Sequence, residues 1–368
     1  MSEALGLLPR TLSILEQGLQ EGLHLGAQVY VSLRGKPLAD FAIGDSKPGL
    51  ALTTADLTLW LSSGKPITAI AVAQQFEKGR LALDDTVARH IPEFAQKGKQ
   101  AITVAHLLTH TGGFRTGDKV PEDLGWDETI SRICETPLEP AWVPGEKAGY
   151  HISSSWFILG EIVRRLDGRP YGQYVREEIF EPLEMRDSWL GMPAEAYRHY
   201  AERIAPMFNT EKGDLKLIQF WSSEQGCTMA RPGSNARGPI RELGRFYEGL
   251  LAIRDGETSI LQPETARLFT SPQRVGKFDQ TFRHNMDTGY GFILSPNRYG
   301  PDLVSYGYGQ HASDETFGHS GSQSSSGFAD PKDGLVVSWV CNGMPGERPH
   351  QKRARAINTA IYEDLNLA

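Results

Sequence analysis

The sequence predicts an α/β fold of the α+β type, in which an antiparallel sheet is flanked by N- and C-terminal helices and joined to a mostly helical lobe. Two observations predict it: strand-like runs occur near both ends of the chain, at 26–44 and 316–341, and the segment from 65 to about 180 has mostly helical patterns. Because sheet-forming segments must pair to bury their apolar faces, the two ends should form one sheet with the helices inserted between them.

A chain of 368 residues is long enough for one large domain. We therefore expect a single domain over 1–368 with two lobes. The α/β lobe would consist of about 1–60 and 285–368, and the helical lobe of about 61–284. The active site is expected in the cleft between the lobes.

The first elements are a helix over 10–23, which alternates at helical period, and a β-hairpin. The hairpin joins two β-rich runs, 26–33 and 37–44, through a short turn that contains glycine. A second helix begins within a few residues upstream of Pro66 and stops at Gly79. Its apolar residues occur on almost every face, which is typical of a helix buried in a large core.

Near the C-terminus, strand-like runs occur at 316–319, 327–329 and 335–341, and the last two are joined by a turn at 330–334. A last helix is predicted over 351–364.

Two long stretches, 200–236 and 272–315, are rich in glycine, proline and polar residues. Long irregular stretches inside a compact protein are often functional loops. We therefore predict that these two form walls of a substrate pocket.

The composition excludes several classes of protein. A net charge of −7 and a pI near 5.8 leave no basic stripe for phosphates, so no nucleic-acid partner is expected. No apolar run reaches membrane-spanning length, and the first nine residues do not resemble a signal peptide. Cys134, Cys227 and Cys341 are widely separated, which suits free thiols in a reducing compartment. We expect a cytoplasmic protein without a membrane partner; the sequence indicates no oligomeric state.

The predicted chemistry begins at Ser62, three residues before Lys65 at the start of the buried helix. Pro66 lacks a backbone N–H, so the helix must begin just upstream of it, which places Ser62 at the N-terminal edge. Free N–H groups at that edge can hold a negatively charged oxygen. Burial and the helix dipole both favour the neutral amine of Lys65. Ser62 is therefore a candidate nucleophile and Lys65 its base, although Ser62 or Ser63 can equally be an N-cap.

Three further motifs follow Ser62-x-x-Lys65 in order, at 102–114 (ITVAHLLTHTGGF), 144–151 (PGEKAGYH) and 317–321 (FGHSG). Together the four motifs resemble the serine β-lactamase and penicillin-binding protein family, specifically class C β-lactamases and the family VIII esterase-like serine hydrolases. The resemblance covers nearly the whole chain and implies a β-lactamase/transpeptidase-like fold.

The resemblance also implies residue roles. Ser62 would form an acyl-enzyme, and Lys65 would share proton transfer with a tyrosine. The later strand motif would close the site and bring Ser320 and Gly321 to the substrate. The oxyanion hole would consist of the backbone N–H groups of Ser62 and Ser322.

The tyrosine of the family motif Tyr-x-Asn has two candidate positions. Counted forward from 144–145, it is Tyr150, and Ile152 stands where the family has asparagine. Counted back from the next helix, the two positions fall on His151 and Ser153. The sequence leaves both registers open.

We favour Tyr150 as the catalytic residue, because a phenol beside Lys65 can exchange protons with the nucleophile and the leaving group. His151 is then a predicted substrate contact, and it becomes the catalytic residue in the other register. Ser153 or Ser154 would replace the missing amide.

His319 stands where many members of the family have a lysine. A lysine is a permanent cation suited to the carboxylate of a β-lactam or a D-alanyl terminus, whereas a histidine is mostly neutral near pH 7. Selection for anionic substrates should therefore be weak, although His319 is still expected in the catalytic group.

The sequence thus favours a carboxylesterase acting on small esters, with weak or no β-lactamase activity. A β-lactamase, a D-amino-acid peptidase or amidase, and an acyltransferase stay as alternatives. The partner would be a small-molecule ester, amide or lactam, and acyl-serine chemistry needs no metal or organic cofactor.

Two other classes compete with this interpretation. His106 and His110 have the i, i+4 spacing of metal ligands, but Leu107 stands where a zinc protease has glutamate, so we predict no metal site. The altered Tyr-x-Asn motif is also compatible with a non-catalytic binding module, which would require Lys65 and Tyr150 to be uncoupled from Ser62. The Gly-x-Ser-x-Gly elbow of α/β-hydrolases does not occur, so we do not expect that class of serine esterase.

Overall fold

The structure, a computed structural model, describes residues 6–300 and 306–368. Its strands, numbered in chain order, are β1 (Gly26–Leu33), β2 (Lys36–Lys47), β3 (Leu50–Ala51), β4 (Thr58–Leu59), β5 (Phe208–Asn209), β6 (Lys216–Leu217), β7 (Arg237–Gly238), β8 (Phe278–Asp279), β9 (His284–Asn285), β10 (Ile293–Leu294), β11 (Phe317–Gly321), β12 (Ser325–Asp330), β13 (Leu335–Cys341) and β14 (Gly343–Met344).

Seven of these strands form one antiparallel sheet in the order β10-β11-β12-β13-β1-β2-β3. The two ends of the chain meet where β1 pairs with β13, with Val29 opposite Trp339. Strand β1 also pairs with β2, so the predicted hairpin is confirmed. The sheet is therefore assembled from both termini, as the positions of the strand-like runs predict.

Thirteen α-helices lie within the described residues. They are α1 (Pro9–Gln20), α2 (Lys65–Glu77), α3 (Val87–His90), α4 (Val104–Leu108), α5 (Trp126–Glu135), α6 (Ser154–Asp167), α7 (Tyr171–Val175), α8 (Ala194–Tyr200), α9 (Gln219–Ser222), α10 (Glu224–Thr228), α11 (Ile240–Arg254), α12 (Pro263–Thr270) and α13 (Glu347–Asp364).

Helices cover both faces of the sheet. Along β1, side chains alternate between the faces, so Val29 and Val31 pack with Ile357 of α13 while Tyr30 joins the opposite core. The terminal helices α1 and α13 pack against each other on the first face. Helix α11 covers the second face, where Gly244 lets the helix approach closely: a Cβ there would lie 2.3 Å from the ring of Tyr30.

Helix α2 is the central helix of the larger core. Its residues from Lys65 to Gln75 are buried, as the nearly continuous apolar pattern predicts. The helix ends at Glu77, and Gly79 follows with a positive φ of 66°.

Helix α13 begins four residues earlier than the predicted start at 351, because Pro349 lies in its first turn, where no N–H is required. This earlier start brings Glu347 into the helix. The division of the chain into two lobes stays a prediction; α11 belongs to the predicted helical range but packs on the sheet. Within the described ranges, no helix is long and apolar enough to cross a membrane.

Candidate active site

Ser62 lies in a single 3₁₀ turn, Leu61–Gly64, that runs directly into α2. Leu61 is buried with a positive φ of 49°, a conformation that a leucine holds only when its surroundings impose it. The first hydrogen bond of the turn runs from Ser63 N to Trp60 O at 3.1 Å. The N–H of Ser62 therefore precedes that bond and has no acceptor within the turn.

The two adjacent serines have different surroundings. The hydroxyl of Ser63 donates to His319 O at 3.2 Å and lies 3.0 Å from Ser325 Oγ, so it holds the turn against the sheet. The hydroxyl of Ser62 lines a cavity instead. Neither serine forms a side-chain cap on the turn or on α2, so the N-cap interpretation is wrong.

Lys65 is fully buried behind Ser62. Its Nζ donates to Ser62 Oγ at 2.8 Å and to Gly233 O at 2.6 Å. Burial lowers the pKa of the Lys65 ammonium to about 7, and the negative charge of Asp118 opposes that shift. At neutral pH a large fraction of Lys65 is thus a free amine in direct contact with the serine hydroxyl, which is the arrangement a general base needs.

Tyr150 lies beside this pair. Its ring centre is 5.3 Å from Lys65 Nζ and 5.9 Å from the ring of His319. Burial raises the pKa of the phenol far above its ordinary value, although its hydrogen bond to Ser62 acts in the opposite direction. Tyr150 is therefore a neutral donor at physiological pH and can relay a proton.

His151 occupies a different environment from Tyr150. Its side chain is fully buried, and its Nε2 accepts from Phe114 N at 3.2 Å, while its backbone N donates to His110 Nδ1 at 3.0 Å. His151 does not line the cavity. Adjacent residues of an extended segment point in opposite directions, so only one of the two can reach Ser62. The predicted substrate contact of His151 is therefore wrong.

The contacts of Asp118 show why Ser153 and Ser154 do not take the predicted role of the missing amide. Its carboxylate accepts from the backbone N of Ile152, Ser153 and Ser154 at 2.8, 2.9 and 2.7 Å. The Ser153 hydroxyl lies 3.5 Å from the same carboxylate, and that of Ser154 is buried without a partner. Neither serine lines the cavity, so neither replaces the missing amide.

Strand β11 forms the opposite wall through His319, Ser320 and the following Ser322. Gly321 lies outside the cavity and has a different role from the predicted substrate contact. A Cβ there would lie 2.5 Å from Trp60 O, so only glycine lets the strand approach the turn that carries the nucleophile. That close approach brings Ser62 and Ser322 to one cavity, as a two-donor oxyanion hole requires.

His319 is 2% exposed. Its imidazole is neutral, because burial and, to a smaller extent, the positive charge of Lys65 lower its pKa to about 3. Its Nδ1 lies 2.8 Å from Ser320 O, which can only accept, so Nδ1 carries the proton. The remaining nitrogen, Nε2, is a buried acceptor without a partner.

The cavity has a volume of about 330 Å³. Besides the predicted residues it is lined by Ile152, at the asparagine position of the Tyr-x-Asn motif, and by residues that the motifs do not indicate, namely Thr281, Phe282, Ile293, Tyr306, Glu347 and Gln351. Four of these lie in the irregular stretch 272–315, so the prediction of a pocket wall is confirmed for that stretch. None of the described residues of the other stretch, 200–236, lines the cavity; its Gly233 contacts Lys65 behind Ser62 instead. Only Glu347 and Gln351 come from a helix.

The two histidines with metal-ligand spacing are both engaged elsewhere. His106 completes a capping box with Thr103 at the start of α4, and His110 accepts from His151 N. Among the residues that the structure describes, no group of three or more His, Cys, Asp or Glu side chains is placed to hold a metal ion.

A serine, a buried lysine with a lowered pKa and a tyrosine around one cavity define the class of serine acyl-transfer enzymes. Comparison with family models matches residues 13–361 to the Beta-lactamase family. The chain therefore belongs to this family, and the serine hydrolase class and the β-lactamase/transpeptidase-like fold predicted from the sequence are confirmed.

Individual relatives support this family assignment. Esterase EstB of Burkholderia gladioli is 32% identical over 207 residues, which cover 50% of this chain and 52% of that esterase, so the match spans about half of its length. A penicillin-binding protein homologue from Caulobacter crescentus superposes with a TM-score of 0.79 at 28% identity over 97% of both chains. A family VIII carboxylesterase has the same fold, with a TM-score of 0.77 at 23% identity over 99% of both chains.

Proposed function

We propose that this protein is a carboxylesterase that hydrolyses small esters through an acyl-enzyme on Ser62. Lys65 is the proposed base and Tyr150 the proposed acid. The backbone N–H groups of Ser62 and Ser322 are the proposed oxyanion hole, and His319 the proposed polar wall of the site.

One observation carries this proposal. The Nζ of Lys65 lies 2.8 Å from Ser62 Oγ, and the pKa of this ammonium is lowered to about 7. A surface lysine, with a pKa near 10.4, would almost never be a free amine at neutral pH. The same side chain buried against a serine hydroxyl can accept its proton.

The reaction follows from these contacts. Lys65 Nζ takes the proton of Ser62 as its Oγ bonds to the ester carbonyl carbon, and the carbonyl oxygen becomes the oxyanion. When the bond to the alcohol breaks, the departing oxygen receives a proton from Lys65 through the Tyr150 hydroxyl. Water then attacks the acyl-enzyme, gives one proton back along the same route, and releases the acid and the Ser62 hydroxyl.

Three features of the cavity favour esters over β-lactams and peptides. Ile152, 55% exposed, stands where the family motif has an amide side chain, so the cavity lacks that hydrogen-bonding partner for a substrate amide. The neutral His319 offers no cation for a carboxylate. Phe282 and Ile293 give the cavity apolar walls suited to a small acyl or alkyl group. The relationship to an esterase supports the same choice.

The acyl-serine mechanism is tested by intact-protein mass spectrometry and peptide mapping after brief exposure to a fluorophosphonate or a short-chain p-nitrophenyl ester. We expect one adduct, on Ser62, and no adduct or turnover in Ser62→Ala. Ser63→Ala is the matched control, because its hydroxyl contacts the sheet rather than the cavity. Turnover in Ser62→Ala, or folded protein without any serine adduct, would favour the binding-module alternative.

The alternative activities are separated by a substrate panel. With a chromogenic cephalosporin and with D-amino-acid amides, we expect kcat/KM at least about 100-fold below that for a p-nitrophenyl ester, since a site without the right polar partner discriminates strongly. Product analysis in the presence of an added alcohol or amine tests acyl transfer. Comparable turnover of a lactam or an amide would replace the esterase assignment.

We also propose a cytoplasmic location and a small-molecule partner rather than a nucleic acid or a membrane. All three cysteines are buried free thiols, which suits a reducing compartment. The net charge of −7 opposes phosphate binding. Fractionation of the source cells, with cytoplasmic and envelope markers, tests the location.

A further inference from the structure

A carboxylate stands at the rim of the cavity. Glu347 is the first residue of α13, and the hydroxyl of Tyr306 donates to its Oε2. The hydroxyl of Ser322 donates to its Oε1 at 3.5 Å. Two cavity residues thus hold the carboxylate beside the backbone N–H proposed as an oxyanion donor.

The cavity lining carries no cation to balance this charge. Among the twelve described residues that line it, Glu347 is the one with a formal charge at neutral pH, because His319 is neutral. Lys65 lies behind Ser62, and its amine is directed to the serine and to Gly233. The formal charge of the cavity lining is therefore negative.

A second residue of the lining, His319, also contributes no positive charge. Because Nδ1 of His319 carries the proton, its Nε2 offers only a lone pair, and this atom is buried without a partner. A ring whose remaining nitrogen has only a lone pair presents no positive charge to a substrate. The cavity lining thus has one carboxylate and no positively charged side chain.

A glutamate in a first helical turn also stabilises its helix through the macrodipole. That role needs only the charge near the N-terminus. It does not require the contacts with Tyr306 and Ser322, which hold the carboxylate at the cavity.

We propose that Glu347 is a specificity-determining residue and that the preferred substrates are esters with a cationic group, such as an ammonium, near the scissile bond. This inference rests on the proposed esterase function and names the substrate class of that same site. Substrates with a carboxylate in this position would be repelled, which adds an electrostatic reason for weak activity on β-lactams.

The test uses two thioesters of the same shape, acetylthiocholine and its uncharged isostere S-(3,3-dimethylbutyl) thioacetate. The measured quantity is the ratio of their kcat/KM values at low salt, in the wild type, in Glu347→Gln and in Glu211→Gln. Glutamine keeps an oxygen for the Tyr306 hydroxyl. Glu211 is a matched control: it is exposed and lies beside Gly346, next to Glu347 in the chain, but does not line the cavity.

In the wild type we expect the ratio to favour the cation by about fivefold, the upper range for a partly exposed pair, and to fall toward one in half-molar sodium chloride. In Glu347→Gln the ratio should fall about fivefold at low salt, and in Glu211→Gln it should stay near the wild-type value.

A wild-type ratio at or below one, a ratio unaffected by Glu347→Gln, or an equal fall in both variants would overturn the inference while leaving the esterase assignment intact. Fluorophosphonate labelling of Ser62 in the same preparations separates the two proposals. If the folded wild type neither turns over a thioester nor labels at Ser62, the proposed function fails and the inference fails with it.

Discussion

Two buried lysines of this protein share their environment but differ in their partners. Lys65 and Lys99 both have fully buried side chains, both lie near aromatic rings, and burial lowers the pKa of both, to about 7 and about 8. Lys99 Nζ donates to three backbone carbonyls, those of Gln96 at 3.2 Å, Cys134 at 2.8 Å and Thr136. Lys65 has one carbonyl and one serine hydroxyl.

This difference decides what each amine can do. A carbonyl oxygen can only accept, so three carbonyls use all three donors of Lys99 and favour its charged form. A hydroxyl can give its proton back, so the contact between Lys65 and Ser62 can reverse its direction. A lowered lysine pKa is therefore not by itself a sign of catalysis; the chemistry of the acceptor separates a base from a structural cation.

The largest expected effect on activity comes from substituting each of these two lysines separately. Lys65→Ala should lower kcat/KM for a p-nitrophenyl ester at least about 1,000-fold and prevent the Ser62 adduct, since the base is lost. Lys99→Met should keep the kcat/KM of the folded protein within a few-fold, while its free energy of unfolding falls by about 2 kcal/mol because three carbonyls lose their donor. Steady-state kinetics and urea unfolding measure the two effects, and a large loss of kcat in folded Lys99→Met would break the comparison.

Substitutions also distinguish the catalytic role of Tyr150 from that of its neighbour His151. Tyr150→Phe should lower kcat/KM about 100-fold, because the proton relay to the leaving group is removed. Tyr171→Phe is the matched control: this tyrosine is also buried, but its hydroxyl lies 2.7 Å from Thr68 Oγ1 and outside the cavity. Full activity in Tyr150→Phe would return His151 to consideration, and His151→Asn would then be measured.

A smaller, graded effect is expected from pH. Only neutral Lys65 accepts the serine proton, so kcat/KM should rise with pH and level off above the pKa of about 7. Below that value the rise should approach tenfold for each pH unit. Lys99→Met should keep the same profile, because its amine takes no part in the reaction. A flat profile between pH 5 and 8 in the wild type would contradict the role of Lys65.

The smallest effect on activity should come from substituting Asp118. Its negative charge raises the pKa of Lys65, and its oxygens accept hydrogen bonds from three backbone N–H groups. Asp118→Asn removes that charge, so the pKa of Lys65 should fall and the acidic limb of the pH profile should move to lower pH. The free energy of unfolding should fall by about 1 to 2 kcal/mol through the lost hydrogen bonds. A shift of the limb to higher pH would contradict this account.

Much of the fold was predictable because its signals are local. The alternation of β1 and β2, the apolar run of α2 and the strands near the C-terminus each follow from side-chain periodicity. Helix α11 had no prediction of its own, although it covers one face of the sheet. Helix α13 begins at Glu347, before the start at 351 that the sequence predicts, so the sequence does not indicate Glu347 as a cavity residue.

The sequence by itself determined the fold class and the pairing of Ser62 with Lys65, because a spacing of three residues at the start of a helix fixes their contact through covalent geometry. The tertiary structure decided the rest of the site. The carboxylate of Asp118 and the carboxylate of Asp279, which accepts from Tyr150 N at 3.1 Å, fix the segment so that Tyr150 rather than His151 faces the serine. Lys65 meets the carbonyl of Gly233 across 168 positions of the chain. Such contacts depend on how whole elements pack, which no local pattern of residues encodes.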